Sequence, residues 1–156
     1  MDDNFIFSAE EPKSGEPEKR PWNILVIDDD MAVHTTTILA LKNVRIHQRR
    51  LNLIHAYSSI DGIAYLKQLE DIDLILLDMV METHDAGLNV TRWLREDSDR
   101  DAVPSVILRT GHPGSLTTHD ILMNEHIDGL IEKSNLTYHK LIELLTRTLP
   151  EESACE

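Results

Sequence analysis

The sequence DLILLDMVM, residues 73–81, sets the carboxylate of Asp78 directly after a run of aliphatic residues. A buried charge beside such a run is costly unless another group pairs with it. Asp78 therefore either begins a turn that faces water or lies where the fold builds a site. The segments on both sides of it decide between these two possibilities.

Aliphatic, β-branched segments alternate with segments of helical spacing along most of the chain. They predict strands at residues 23–28, 51–57, 72–78, 103–109 and 127–133, and helices at residues 30–44, 58–70, 87–97, 116–126 and 136–149. Asp30 and either Ser58 or Ser59 are expected to cap the first two helices. The alternation predicts a parallel sheet covered by helices on both faces. The basic segment VRIHQRR, residues 44–50, is interpreted as a solvated connector rather than a surface for a partner.

The composition limits the classes of protein that this chain can belong to. Its 156 residues, 41% of them hydrophobic, suit one compact domain. A net charge of −13 argues against a nucleic-acid-binding face, and no apolar run approaches the roughly 20 residues that span a membrane. We expect a mobile acidic tail over residues 1–21, the domain over residues 22–149 and a C-terminal tail over residues 150–156. The single cysteine, Cys155, allows no disulfide within the chain.

Polar residues lie at the ends of four of the five predicted strands, and parallel strands bring their C-terminal ends to one edge of the sheet. The first strand ends in Asp28, which Asp29 and Asp30 follow, the third ends in Asp78, the fourth is followed by Thr110, and the fifth ends in Lys133. Two carboxylates about 4 Å apart repel by roughly 4 kcal/mol at an effective dielectric constant of about 20. Such a cluster shares a proton or holds a cation, and oxygen ligands with spare positions suit Mg²⁺. A lysine and a hydroxyl beside them can contact phosphoryl oxygens, so the set points to phosphoryl transfer.

Each of these residues also has an ordinary structural role. The acids after the first strand can cap a helix, Asp78 can begin a loop, Thr110 before Gly111 is a common turn pair, and Lys133 can be a surface lysine. Only the four strand ends together, each with the required residue type, indicate a site.

Together these segments resemble the receiver domains of two-component response regulators, over about residues 22–149. ILVIDDD resembles the family's first-strand acidic pair, here Asp28 and Asp29, and LILLDMVM resembles its phosphoacceptor strand, here ending at Asp78. VILRTG and IEK match the family's hydroxyl and lysine, here Thr110 and Lys133. DMVMETHDAGL and LRTGHPG further resemble receivers placed ahead of cyclic-di-GMP turnover or kinase domains. The resemblance implies an α/β, flavodoxin-like (βα)5 fold with a five-stranded parallel sheet in the order 2-1-3-4-5.

The resemblance also implies a mechanism. Mg²⁺ would bind Asp29, Asp78 and the backbone carbonyl of Val80, with Asp28 acting mostly through water. Asp78 would accept a phosphoryl group from the histidine of a sensor histidine kinase or a phosphotransfer protein, and Lys133 and Thr110 would hold it. The face formed by residues 116–126, 127–133 and 136–149 would then repack, and two copies of the chain can associate there. The expected function is that of a bacterial, cytoplasmic signalling switch. The chain is not expected to turn over a separate substrate, to bind nucleic acid or to lie in a membrane.

The sequence departs from the family pattern at several positions. Leu130 stands where an aromatic switch residue is usual, and Ser134 stands where a proline is usual after the lysine. The loop after Asp78 carries Glu82 where proline is common and has one extra residue before its glycine. His84 and His112 follow the third and fourth strands, and a transition-metal site or a pH effect there is the less favoured interpretation.

Three other functions were weighed against the receiver function. A haloacid-dehalogenase-like phosphatase would use Asp28 and Asp30 but would leave Asp78 without a role. A receiver-like interaction module that is never phosphorylated is opposed by the complete set of acids, Thr110 and Lys133. A flavin-binding protein of the same architecture is rejected because DDDMAV, residues 28–33, is acidic and lacks glycine.

Overall fold

The fold is a twisted sheet with helices on both faces, as the sequence predicts. The computed structural model describes residues 18–81, 83, 85–99, 102–111, 127–133 and 137–151. The described elements are β1 (Trp22–Ile27), α1 (Met31–Leu41), β2 (Arg45–Ile46), β3 (Arg49–Ala56), α2 (Ser59–Gln68), β4 (Leu74–Asp78), α3 (Ala86–Arg92), β5 (Ser105–Thr110), β6 (Gly129–Glu132) and α4 (Tyr138–Thr148). The helix predicted over residues 116–126, the loop residues Glu82, His84 and His112, Ser134 and the tail residues 1–17 and 152–156 lie outside the described residues.

The strand order is β2-β3-β1-β4-β5-β6. All pairs are parallel except β2 with β3, which is antiparallel. The five parallel strands therefore have the predicted order 2-1-3-4-5, and β2 is an additional short strand at one edge. In parallel strands that are covered on both sides, nearly every residue is apolar, which explains the continuous aliphatic runs in the sequence.

The core lies in two layers, one on each face of the sheet. Alternate residues of β1 belong to different layers: Leu25 and Ile27 pack toward α2 and α3, whereas Ile24 and Val26 pack toward α1 and α4. The caps predicted for α1 and α2 are present, because Asp30 accepts a hydrogen bond from the backbone of Ala32, and Ser58 accepts one from the backbone of Asp61.

The segment 44–50 is not the solvated connector that the sequence suggests. Residues 45–50 form a hairpin of β2 and β3, with His47 and Gln48 at its turn in the left-handed region (φ 53° and 69°). This turn was missed because two-residue turns usually carry Asn or Gly at such positions. The Nε2–H of His47 is shared between the carbonyl oxygens of Thr146 (3.1 Å) and Leu149 (3.0 Å), so the hairpin packs on the end of α4.

The hairpin also contacts the chain before β1. Glu18 pairs with Arg45 (3.3 Å) and Arg50 (3.1 Å), and the indole of Trp22 donates to the carbonyl of Ile46 (2.9 Å). Arg20 pairs with Asp73 at 2.9 Å. Residues 18–20, which the sequence places in a mobile tail, therefore contact the folded part, and the tail stays a prediction for residues 1–17.

The helix predicted over residues 87–97 changes its geometry partway. It is α-helical only over α3, and a wider π-helical turn continues it over Trp93–Asp97. Periodicity in the sequence does not distinguish a last turn of this kind from an α-helix.

Candidate functional site

The predicted carboxylates converge at the C-terminal edge of the sheet. Carboxylate oxygens of Asp28, Asp29 and Asp78 all lie within 4.8 Å of one another. Asp28 (0% exposed) and Asp78 (2% exposed) are buried, whereas Asp29 is exposed. The group therefore has two buried carboxylates and a third that faces solvent. This arrangement suits a cation that keeps part of its hydration shell.

Asp28 is fixed by the chain that follows β1. Its backbone N–H donates to the carbonyl of Ala56 (3.1 Å), and its Oδ1 accepts from the backbone N–H of Asp30 (2.9 Å). Its buried Oδ2 accepts no hydrogen bond from the described residues, although the ammonium of Lys133 lies 3.5 Å away. A buried carboxylate oxygen without a hydrogen bond is costly, and a bound cation would satisfy it.

Asp78 ends β4 and is held on both of its oxygens. Its Oδ2 lies 3.0 Å from the ammonium of Lys133, and its Oδ1 accepts a hydrogen bond from the backbone of Val80 at 3.3 Å. Burial, and next the charge of Asp28, raise the pKa of the Asp78 carboxyl to about 6, although Lys133 and the Val80 N–H act in the opposite direction. Ionisation of Asp78 in this buried place therefore costs free energy, and the nearby cation reduces that cost.

Thr110 and Lys133 reach the same edge on the neighbouring strands. Arg109 pairs in register with Asp78, and Thr110 pairs with Glu132, which directly precedes Lys133. Thr110 is 2% exposed and the Lys133 side chain is 30% exposed. The structure thus brings Asp28, Asp29, Asp78 and Lys133 together and places Thr110 at the end of the strand beside them. The role of the Val80 carbonyl stays a prediction.

Gly87, at the start of α3, sets how closely that helix approaches Asp78. Its N–H donates to the carbonyl of Met79 at 3.0 Å. A Cβ atom at this position would collide with the carbonyl oxygen of Asp78 and would lie 2.7 Å from the Cα of Met79. Only glycine fits here without a shift of the loop that follows β4.

A pair of histidines behind Asp28 was not predicted from the sequence. A ring nitrogen of His34, Nε2, lies 2.7 Å from the carbonyl oxygen of Asp28, so this nitrogen carries the proton and donates it. The Nδ1 atoms of His34 and His55 are also 2.7 Å apart. When both rings are neutral, Nδ1 of His55 therefore donates to Nδ1 of His34. Burial lowers the pKa of His55, and a positive charge on His34 lowers it further. His34 lies in the middle of the first predicted helix, and no signal in the sequence distinguishes it.

The chain is similar in sequence and in fold to proteins of known structure. A family model described as the response regulator receiver domain matches residues 24–146. A response regulator receiver protein from Pseudomonas putida is 26% identical, with a TM-score of 0.68 over 84% of this chain and 99% of its own. The receiver domain of an HD domain-containing protein from Pseudomonas fluorescens Pf-5 is 20% identical, with a TM-score of 0.65 over 83% of this chain and 94% of its own, which shows likeness of fold.

A longer relative also matches. The 3'3'-cGAMP-specific phosphodiesterase 2 of Vibrio cholerae serotype O1 is 37% identical over 127 residues, which are 81% of this chain. The chain spans about a quarter of that relative's length (24%). Among the described residues, none of the helices is both long and apolar enough to span a bilayer.

Proposed function

We propose that this chain, which belongs to the response regulator receiver domain family, is a phosphorylation switch whose phosphoryl acceptor is Asp78. The observation that supports this most strongly is the 3.0 Å approach of Lys133 to Asp78, at the edge where three carboxylates meet. Phosphoryl transfer depends mainly on positioning and charge neutralisation. Lys133 and a metal ion held by the three carboxylates would neutralise the charge of the phosphoryl group while an oxygen of Asp78 attacks it.

Mg²⁺ is the metal that these residues suit. Asp28, Asp29 and Asp78 would bind it directly or through water, and the backbone carbonyl of Val80 would complete the protein ligands. The unsatisfied Oδ2 of Asp28 supports this assignment. The ion supplies neutralisation of the charge on the carboxylates and on the incoming phosphoryl group.

The reaction that we propose forms one bond and breaks one. An oxygen of Asp78 attacks the phosphorus of a phosphohistidine on a sensor histidine kinase or a phosphotransfer protein. The P–N bond breaks, its electron pair stays on the histidine nitrogen, and Asp78 becomes an acyl phosphate. Lys133 and the hydroxyl of Thr110 contact the phosphoryl oxygens. The acyl phosphate is later hydrolysed, so the chain is modified and restored without turning over a separate substrate.

The proposed response is a change of the face formed by residues 116–126, β6 and α4. The phosphoryl group adds about −1.5 to −2 charge, which draws Lys133 and Thr110 toward it. Leu130, on β6, occupies the position of the usual aromatic switch, so any movement there involves an aliphatic side chain. The same face is our candidate for association of two copies, and the switch would act in the bacterial cytoplasm. Likeness to a cyclic-dinucleotide phosphodiesterase supports a role in controlling an enzyme of that class.

The decisive experiment is intact mass spectrometry after incubation with acetyl phosphate and Mg²⁺. One added phosphoryl group, absent from Asp78→Asn and absent without Mg²⁺, is the expected result. Asp30→Asn serves as the control, because Asp30 is a neighbouring acid that caps α1, and asparagine also caps helices well. If neither acetyl phosphate nor beryllofluoride modifies or binds the wild-type chain, the interaction module that is never phosphorylated becomes the better explanation.

A further inference from the structure

A groove of about 320 Å³ lies between the C-terminal end of α1 and the β2–β3 hairpin. Its apolar lining includes Ile38 of α1 and Leu51 and Leu53 of β3. Ile38 is 44% exposed, and the two leucines are only partly buried. The volume is near the lower end of cavities that bind ligands, and adjoining apolar side chains that remain exposed favour an apolar occupant.

Cationic side chains form the rim of this groove. Lys42, Arg45 and Arg50 all border it, and none of the described residues that line it is acidic. The whole chain has 28 acidic and 15 basic residues, so the rim has the opposite sign to most of the molecule. Glu18, which pairs with both arginines, offsets only one of these three positive charges. The groove therefore fits an apolar segment that is flanked by acidic residues.

The described chain starts at the rim of this groove and is preceded by such a segment. Glu18, the first residue that the structure describes, lies 3.3 Å from one rim arginine and 3.1 Å from the other. Residues 1–17 include the sequence DDNFIFSAEE, residues 2–11, which contains both phenylalanines of the chain, Phe5 and Phe7. Two acidic residues stand before this aromatic pair and two stand after it. Aromatic side chains are frequent anchors of protein interfaces, and the acidic residues complement the rim.

We propose that residues 5–7 of this same chain dock in the groove. The aromatic side chains of Phe5 and Phe7 contact its apolar lining, and the acidic residues on either side lie near the cationic rim. The N-terminal tail that the sequence predicts is then anchored at residues 5–7 rather than free along its whole length. Docking needs no phosphoryl group and no metal ion, so this inference does not depend on the function proposed above.

The covalent connection allows even a weak contact of this kind to form. Residues 8–17 separate Phe7 from Glu18 and span at most about 35 Å, so Phe7 can return to the groove whose rim holds Glu18. A short connection gives an effective concentration in the millimolar range. A segment whose Kd as a separate peptide is about 1 mM or lower therefore fills at least about half of the grooves in the intact chain.

A nitroxide spin label close to the aromatic pair tests the docking in the full chain. The label is attached at Ser8→Cys in a chain that also carries Cys155→Ser, because Cys155 is the single natural cysteine. In ¹⁵N-labelled protein, the oxidised label is expected to broaden the amide resonances of Ile38, Leu51 and Leu53 strongly relative to the reduced label. Resonances of α2, which does not border the groove, are expected to keep their intensity.

Matched variants separate docking from simple nearness of the attached segment. Phe5→Ser combined with Phe7→Ser keeps the connection but removes the anchors, so most of the broadening at the groove should disappear. Ile38→Glu places a carboxylate in the groove, where it repels the acidic segment, and should have the same effect. Leu39→Glu adds the same charge at the next residue of α1, which is 68% exposed and does not line this groove, and should broaden as the wild type does.

A peptide added to the protein measures the affinity. The peptide MDDNFIFSAEE, residues 1–11, is expected to bind the chain with the two serine substitutions with a Kd of about 1 mM or lower. The same peptide with both phenylalanines replaced by serine should bind at least about tenfold more weakly. The wild-type chain should bind the unchanged peptide less tightly than the serine variant does, because its own segment already occupies the groove.

The proposal is wrong if the chain with both serine substitutions shows the same broadening as the wild type, or if Ile38→Glu and Leu39→Glu act alike. It is also wrong if the peptide prefers neither the phenylalanine sequence nor the serine variant of the chain. A mixture of spin-labelled ¹⁴N chain with label-free ¹⁵N chain tests the remaining possibility. Broadening that arises only between molecules would assign the groove to a second copy of the chain and would overturn docking within one chain.

Discussion

The ammonium of Lys133 lies 3.0 Å from Oδ2 of Asp78 and 3.5 Å from Oδ2 of Asp28, so one cation serves two buried carboxylates. The pKa of Asp78 nevertheless stands at about 6, because burial and the charge of Asp28 act against Lys133. Asp78 therefore becomes fully ionised only above this pH when no metal is bound.

Replacement of Lys133 by methionine is expected to raise the pKa of Asp78 by about one unit or more, since both the hydrogen bond and the charge that lower it disappear. A ¹³C NMR titration of the aspartate carboxyl resonances in metal-free protein measures this. Lys67→Met, at an exposed position of α2, is the control and should leave the titration unchanged. An unchanged pKa in Lys133→Met would show that the ion pair does not exist in solution.

Asp78→Asn is expected to stabilise the metal-free protein above pH 6. The folded-state pKa is raised from 3.8 to about 6, so ionisation of Asp78 costs folding free energy as the pH rises through this interval. The cost is absent near pH 4 and amounts to about 2 to 3 kcal/mol well above pH 6. Urea unfolding of both proteins with a chelator present, across this range, measures the difference, and a gain in stability that does not depend on pH would contradict the assigned cause.

Mg²⁺ is expected to raise the melting temperature of the wild-type chain, and the increase should shrink as the pH falls through about 6, because protons compete for Asp78. Asp29→Asn removes an exposed member of the cluster and should weaken Mg²⁺ binding by about tenfold or more. Asp30→Asn, one residue along the chain, should bind Mg²⁺ as the wild type does. Equal losses in both variants would mean that general negative charge, rather than a defined site, attracts the ion.

Gly87→Ala is expected to lower the free energy of unfolding by about 2 kcal/mol or more, since the new methyl group meets the backbone of Asp78 and Met79. Gly111→Ala is the control, because among the described residues a Cβ there would meet only the Cδ of Lys133, at an ordinary 3.8 Å. Its stability should remain within about 0.5 kcal/mol of the wild type. Urea denaturation compares the two, and similar costs at both positions would show that α3 does not approach the loop after β4 as closely as described.

The turn of the β2–β3 hairpin offers a pair of glycine substitutions with opposite expected effects. Gln48→Gly relieves a left-handed backbone and should leave stability unchanged or raise it by up to about 1 kcal/mol. His47→Gly relieves the same strain but loses the hydrogen bonds to Thr146 and Leu149 and the ring contact with Trp22, so it should lower stability by about 1 kcal/mol. The sign of the difference in urea denaturation is the test; a His47→Gly protein as stable as Gln48→Gly would show that the contact with α4 contributes nothing.

The sheet, and the meeting of polar side chains at one of its edges, could be predicted from the sequence because strand periodicity and parallel topology determine both. Each parallel strand is an apolar run, and its end is marked by a polar residue, so the convergence of Asp28, Asp78 and Lys133 follows from topology. The roles of these residues and the domain boundaries remain predictions. The hairpin was missed because His47 and Gln48 are not the residues that usually adopt left-handed turns, and their conformation depends on contacts with distant parts of the chain.

Arg109 was missed for a different reason. It directly precedes Thr110 on β5, in a run that otherwise reads as an ordinary buried strand. Strand alternation places Arg109 on the face opposite Thr110, with Ile107, toward α1 and α4. A cation within the buried run SVILRT was the available signal.

The β2–β3 hairpin has a topological consequence. Through Glu18 and Trp22 it contacts the beginning of the described fold, and through His47 it contacts the end of α4 at Leu149. Both ends of the folded part therefore contact the same hairpin, which brings the chain before β1 near the chain after α4. A circular permutant that joins these ends by a short flexible linker and opens at another exposed turn would keep every strand in its place.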